Sequence, residues 1–324
     1  MMVFDGHSDI FTDVIIKRQL GETQVIKNHH MDRLRSGGVE GGCFVLWIDP
    51  PYDADPPKRL SQLLVAVKDE MAECQEAVLV HNMAEIEAAK KAGKFYILIG
   101  IEGLSGIGED VEQIYKLHDF GARHAMLTWN EQNPLATGAQ GDPTRGVTDL
   151  GRKALDIMQE KKMIVDVSHL NEKSFWDVLD HAQTPILASH SNAKALVNAA
   201  RNLSDEQLLA IRDTKGLVGL NSFNLFVSDD IKEQNIDNLV KHAVYMAEKI
   251  GVEHLAFGFD FFEFLSTDSM KSFSDQQTSY TTGLEDCTKV PDLLKRMKLA
   301  GFSDKELELI AYKNWFDLIQ RIIG

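Results

Sequence analysis

MIVDVSHLNEKSFWDVLDHAQTPILASH (163–190) holds a complete strand–helix–strand passage. MIVDVSH (163–169) is short, apolar and β-branched, as a strand buried on both faces requires. NEKSFWDVLDHA (171–182) has helical periodicity, and PILASH (185–190) returns to a buried strand. Strands joined through one helix run parallel. The histidines that end them, His169 and His190, are therefore expected at the same end of one sheet.

The pattern extends in both directions. MVFDGHSD at the start, GGCFVLWID (41–49), KFYILIGIEG (94–103), HAMLTW (124–129), GLVGLNSF (216–223) and HLAFGFDF (254–261) bring the strand count to eight. Helical segments lie between them: 61–92, 109–121, 148–162, 204–214 with a Ser204/Gln207 capping box, and 235–251. Eight strands alternating with helices predict a (β/α)8 TIM-type barrel. The alternative, a doubly wound open sheet, lacks its Gly-x-Gly-x-x-Gly after the first strand; GGVEGG (37–42) precedes a strand instead. The polar stretch 266–283 is expected as a loop over one end, and helices at 291–299 and 303–322 close the chain. With no linker or internal repeat, residues 1–324 read as a single domain.

Composition narrows the function. Of 324 residues, 44% are hydrophobic, enough for a large core, and 34 Lys and Arg against 49 Asp and Glu give a net charge of −15. That balance speaks against nucleic acid and against an anionic membrane surface. Cys43, Cys74 and Cys287 are widely spaced and form no Cys-x-x-Cys pair, as in a reduced, cytoplasmic setting. No signal peptide or membrane span is expected.

Polar residues collect at the strand tips: His7 and Asp9 on the first strand, Glu102 on the third, Trp129 and Asn130 on the fourth. Asp166 and His169 end the fifth, His190 the sixth and Asp260 the eighth; Arg201 follows the sixth by eleven residues. In a barrel these ends share one face, where barrel active sites lie. Imidazole and carboxylate suit zinc. His7 and Asp9, two apart on an extended strand, point the same way and can grip one ion. His169 and His190 can grip a second, and Glu102 can bridge ions ~3.5–4 Å apart. Asp260, outside that count, suits a general base. Arg201 offers a fork for a substrate carboxylate.

Each residue alone has a plainer reading. A histidine at a strand end is usually a surface or capping residue, Asp9 can cap a turn, Glu102 can be a loop acid, and Arg201 can merely precede a helix. Asp260 between Phe259 and Phe261 resists this, because a carboxylate among aromatics is poorly solvated without a partner. Five ligands and a base on five strand tips outweigh the separate readings. His29, His30, His81, His118, His124, His181, His242 and His254 lack such company and read as solvated or core residues, with His181 at a helix C-terminus. Asp166 reads as orienting His169 or a neighbour.

With DGHSDI, IEGLSGIG, LTWNEQNPLATG, DVSHLNEKSFWDV, PILASHSNAKALVNAARNLSDEQL, GLVGLNSF, FGFDF and the C-terminal GLEDCTKVPDLLKRM…GFSDKELELIAYKNWFDLI, the chain resembles the membrane (renal) dipeptidase family of zinc peptidases, including its soluble bacterial members. The likeness runs from residue 5 to about 320. It implies a (β/α)8 barrel with two zinc ions, one held by His7, Asp9 and Glu102 and the other by Glu102, His169 and His190. It further implies that Asp260 handles the proton, that Arg201 binds the dipeptide carboxylate, and a homodimer. There are departures. Trp129 and Asn130 fill the slot where mammalian members carry a substrate-contacting histidine; they can donate a hydrogen bond but no proton. Phe223 replaces a tyrosine that aids carboxylate binding. Phe262, followed by Glu263, replaces an acid.

The expected reaction is metal-assisted hydrolysis of L,L- and L,D-dipeptides, with cell-wall fragments as plausible substrates and β-lactam opening as related chemistry. Another binuclear amidohydrolase, acting on acyl-amino acids, lactams or lactones, would not need Arg201 and usually begins with His-x-His. A catalytically silent binding protein on the same barrel would have lost a ligand or Asp260, and neither is lost.

Overall fold

The inward and outward rows of one strand set the architecture. In β4 (Phe95–Glu102), Phe95, Ile97, Ile99 and Ile101 pack outward into the helical shell, while Tyr96 and Leu98 join a separate inner cluster. Period-two alternation with both rows apolar is what a parallel strand covered by helices requires. The computed structural model describes residues 1–266, 269–270 and 280–324. Around β4 stand β1 (Val3–Ser8), β2 (Val39–Trp47), β5 (Ala122–Met126), β6 (Ile164–Asp166), β7 (Ile186–Ala188), β8 (Leu217–Leu220) and β9 (Leu255–Phe257). They pair in parallel in the order β1-β2-β4-β5-β6-β7-β8-β9, a nearly closed (β/α)8 barrel.

A ninth strand, β3 (Ala77–Leu79), pairs with the outer end of β4 and stands off the barrel path. It corrects the single helical run expected over 61–92. That region is two helices, Pro56–Glu73 and Met83–Lys91, split by the strand. The first starts early because the Asp55 side chain accepts from the Lys58 N–H with prolines in the first turn. The short apolar AVL is too brief to break a periodicity count. The Ser204/Gln207 capping box is present. Most of the stretch 266–283 lies outside the described residues.

The barrel ends differ. At the end where the strands begin, Phe4, Leu98, Ile164, Leu187, Leu217 and Ala256 fill the interior. Helix Asn314–Ile322 stoppers it with Trp315, Phe316, Leu318, Ile319 and Ile322. Trp315 also mends the seam between β9 and β1. Its Nε1–H donates to the Phe257 carbonyl at 3.0 Å, and its ring occupies the space a Cβ on Gly6 would need. Farther up the seam the Phe259 N–H donates to the Asp5 carboxylate at 2.9 Å and the Asp260 N–H to the His7 carbonyl at 3.2 Å.

β1 also carries an irregularity. Asp5 pairs with Gly42 but Ser8 pairs with Phe44, so three steps on β1 span two on β2. The extra residue flips the side-chain parity. Phe4 therefore reaches the stoppered interior and His7 the opposite end of the same interior, although they are an odd number of residues apart.

Candidate active site

Beyond the inner apolar layer the inward rows turn polar. Gly100 leaves room for His124, whose ring lies where a Cβ would fall. His124 Nε2 and Asp166 Oδ2 are 2.6 Å apart, and both side chains are fully enclosed. Burial opposes a charge on His124, but the Cys43 sulfur and the Asp166 carboxylate outweigh it and push its pKa up to about 10. For Asp166, burial is outweighed by hydrogen bonds from His124, Ser168 and Ser189, which hold it below the usual carboxylate range. The network climbs from there. Ser168 Oγ donates to Asp166 Oδ1, Ser168 and Ser189 hydroxyls lie 3.3 Å apart, and Ser189 Oγ meets His190 Nδ1 at 2.8 Å. Asp166 thus acts towards His190, the neighbour of the expected His169, and His124 is not an isolated core histidine.

At the open end the expected ligands converge. Nε2 of His169 and His190 are 2.8 Å apart, and Glu102 Oε1 lies 2.8 Å from the first and 3.8 Å from the second. Glu102 Oε2 lies 3.4 Å from His7 Nε2, which is 3.8 Å from Asp9 Oδ2 and 3.9 Å from Asp260 Oδ1. Asp9 arrives by a route other than strand alternation. β1 ends at Ser8, and Asp9 stands at the start of helix Ile10–Gln19 with φ −86° and ψ 19°. The turn into the helix swings its carboxylate back beside His7.

The electrostatics match a cation site. Burial drives the Asp9 and Glu102 carboxyls well above the usual range, and each repels neighbouring acids; burial drives His169 and His190 well below theirs, with Arg201 and His7 adding to the effect. Neutral imidazole is the form a metal takes up. Both nitrogens of His7 and Oδ1 of Asp9 are buried with no hydrogen-bond partner among the described residues, and such atoms are costly unless something else satisfies them. His7, Glu102 and His190 form one potential metal-holding group, and His7, Asp9 and Asp260 another. The donor set and its unpartnered atoms fit a metal centre.

The remaining expected residues surround these groups. Asp260 adopts φ +59°, rare for a side chain-bearing residue. Its Oδ2 accepts from Asn221 Nδ2 at 3.1 Å. Arg201 Nη2 donates to His190 Nε2 at 2.9 Å, while its Nε and Nη1 have no protein acceptor. Burial lowers its pKa to about 10, so it stays cationic at neutral pH. The loop carrying it is clamped: Asn192 and Asn221 exchange hydrogen bonds, Asn202 donates to the Phe226 carbonyl, and the Ala193 N–H donates to His242 Nδ1. Asn130 Oδ1 accepts from His169 Nδ1 at 2.9 Å, which leaves Nε2 as the ligating nitrogen. Trp129 lines the pocket above, with Trp47 and Phe223. Glu263 pairs with Arg33, away from the ligands.

Sequence reasoning passed over Asn221, Ser189 and the pocket residues Trp47, Phe226 and Leu265. Asn221 and Ser189 both occupy strand tips, but a search weighted to ionisable groups does not stop at an amide or a hydroxyl.

Comparison with known proteins agrees with this geometry. A protein of Klebsiella pneumoniae described as an uncharacterized protein in the pqqA 5′ region is 30% identical over 278 residues, 83% of this chain and 97% of that one. The dipeptidase tcpJ of Claviceps purpurea is 28% identical over 246 residues, 75% of this chain and 55% of that one. A metallopeptidase from Rhodobacter sphaeroides, solved with a phosphinate mimic of L-Ala-D-Ala, superposes with a TM-score of 0.86 at 23% identity, covering 99% of both chains. Among the described residues no helix is long and apolar enough to cross a membrane. The profile of the membrane dipeptidase family, peptidase family M19, matches residues 1–322, and the chain belongs to that family of metal-dependent peptide-bond hydrolases.

Proposed function

We propose that residues 1–324 form one catalytic unit, a binuclear zinc dipeptidase acting on L,L- and L,D-dipeptides. The observation that carries this reading is the meeting of His7, Asp9, Glu102, His169 and His190 around unpartnered buried atoms, with Arg201 beside them. His7, Asp9 and Glu102 would hold one ion; Glu102, His169 and His190 the other. Zinc there would supply a water of lowered pKa and polarise the scissile carbonyl.

The protein's own groups do the rest. Asp260, fixed through Oδ2 by Asn221, keeps Oδ1 turned to the His7 side. There it takes the proton of the attacking water and passes it to the leaving amine. Arg201 presents its Nε and Nη1 hydrogens to the substrate carboxylate, and this end-stop restricts length to two residues. Asn130 and Ser189 hold the tautomers of His169 and His190. Trp129 and Trp47 exclude bulk water from the reacting bond. The Rhodobacter protein's phosphinate ligand, a mimic of an L,D-dipeptide, supports extending the substrate range to a D-residue at the C-terminal position.

The test is hydrolysis of a panel of L,L- and L,D-dipeptides by zinc-loaded protein, with bound metal counted and Asp260→Asn alongside. We expect about two metals per chain and cleavage. In Asp260→Asn, kcat should fall roughly 10²–10⁴-fold with metal retained. Two metals without cleavage would move the reading to acyl-amino acids, lactams or lactones; no bound metal would end it.

A further inference from the structure

The pocket above the carboxylates is lined by Trp47, Trp129, Phe223, Phe226 and Phe262 around Arg201. Two aromatic walls enclose it. Trp47 and Trp129, with ring centroids 5.3 Å apart, form one above His169. Phe223, Phe226 and Phe262 form the other. Phe223 stands edge-on to Phe226 at 4.8 Å and to Phe262 at 5.5 Å. Arg201 lies at the foot of this second wall, its guanidinium carbon 5.7 Å from the Phe226 ring centroid.

That placement constrains the substrate. A carboxylate seated on Arg201 belongs to the C-terminal residue, so the side chain of that residue has the phenylalanine wall as its neighbour. The ionisable groups lining the pocket are already engaged with metal, proton or carboxylate in the proposed reading, and Asn130 is engaged by His169. Among the described lining residues no ionisable group is left to pair with a charge on the substrate side chain, and an unpaired charge beside aromatic rings loses its hydration without return.

We infer that the site selects dipeptides with an apolar C-terminal side chain, and that Phe223, Phe226 and Phe262 set this preference. The inference rests on the assignment of Arg201 to the substrate carboxylate. It is tested by measuring kcat/KM of the zinc-loaded protein for Ala-Leu and Ala-Phe against Ala-Asp and Ala-Lys. Each is offered in L,L and L,D form, and ratios are read within the series that is cleaved. The apolar members should exceed the charged ones on the order of 100-fold. Phe262→Lys, which sets a cation in the wall, should narrow the Ala-Leu to Ala-Asp ratio by about tenfold or more while leaving Ala-Lys poor. Ratios under about tenfold in the unmodified protein overturn the inference and leave the dipeptidase reading standing, because cleavage is still seen. Failure to cleave any member overturns both. The unmodified protein decides the matter even where the variant does not fold.

Discussion

The same eight strands build two opposite ends of one barrel. Where they begin, the interior is Phe4, Leu98, Ile164, Leu187, Leu217 and Ala256 under a helical stopper, and the polar atoms of Trp315 and Asn314 are spent on strand carbonyls. Where they end, the same inward rows supply Glu102 and Asp260, buried acids face one another, and neither ring nitrogen of His7 has a hydrogen-bond partner among the described residues. One end minimises free energy and the other stores it. A network led by His124 and Asp166 lies between them.

Three tests separate or merge these ends. The largest effect belongs to the stopper: Trp315→Ala should cost about 3–5 kcal/mol of stability, measured by urea unfolding. The folded fraction should keep its metal content and kcat. A variant of normal stability, or one that stays folded but loses metal, would show that the ends are not independent.

His242 comes next. Burial pushes its pKa down to about 4 from an ordinary 6.5. Its Nδ1 accepts from Ala193 and its Nε2 donates to the Val227 carbonyl at 3.3 Å, which requires the neutral ring. Between those pH values the unfolded chain takes up a proton that the folded chain refuses. Stability from this group is therefore complete above pH 6.5 and is lost as pH falls to 4, about 3 kcal/mol in all. Urea melts at neutral pH and near pH 4 should show a shallower loss in His242→Gln. Equal slopes would remove His242 as the acid-sensitive clasp on the Arg201 loop.

The smallest change should have the opposite sign. Glu102→Gln should abolish metal retention yet stabilise the chelator-treated protein by roughly 1 kcal/mol. The gain should grow as pH rises above the ordinary carboxylate range, because burial raises the folded pKa of Glu102 and ionisation then weighs on the folded state alone. A metal-free variant less stable than its parent would contradict the view that the open end stores unfavourable energy.

The strand–helix alternation was legible because each barrel strand is an apolar run set off by polar tips. The candidate ligands stood out in the sequence because histidines and acids at tips are conspicuous in such runs. Asp9 was reached by strand parity, although the bulge in β1 and the turn into its helix are what deliver it. The three-residue β3 was too short to interrupt a helical reading. Asn221, Ser189 and Phe226 escaped because their work depends on what they face. Facing is decided by loops folded over one another, such as the clasp between Asn192 and Asn221.

The seam has a consequence in the order of synthesis. Every residue proposed to hold metal, move a proton or seat the substrate has been made once Phe262 is added. The indole that joins β9 to β1 belongs to Trp315, which is made later. Chains grow from the N-terminus and fold as whole units, and distant pairings are slow to close. A nascent chain that already carries all its candidate ligands therefore still lacks the indole across the first and last barrel strands, and has, among the described residues, only the Phe259–Asp5 and Asp260–His7 hydrogen bonds to close that seam. Full closure of the barrel therefore waits for the last helix of the chain to be made.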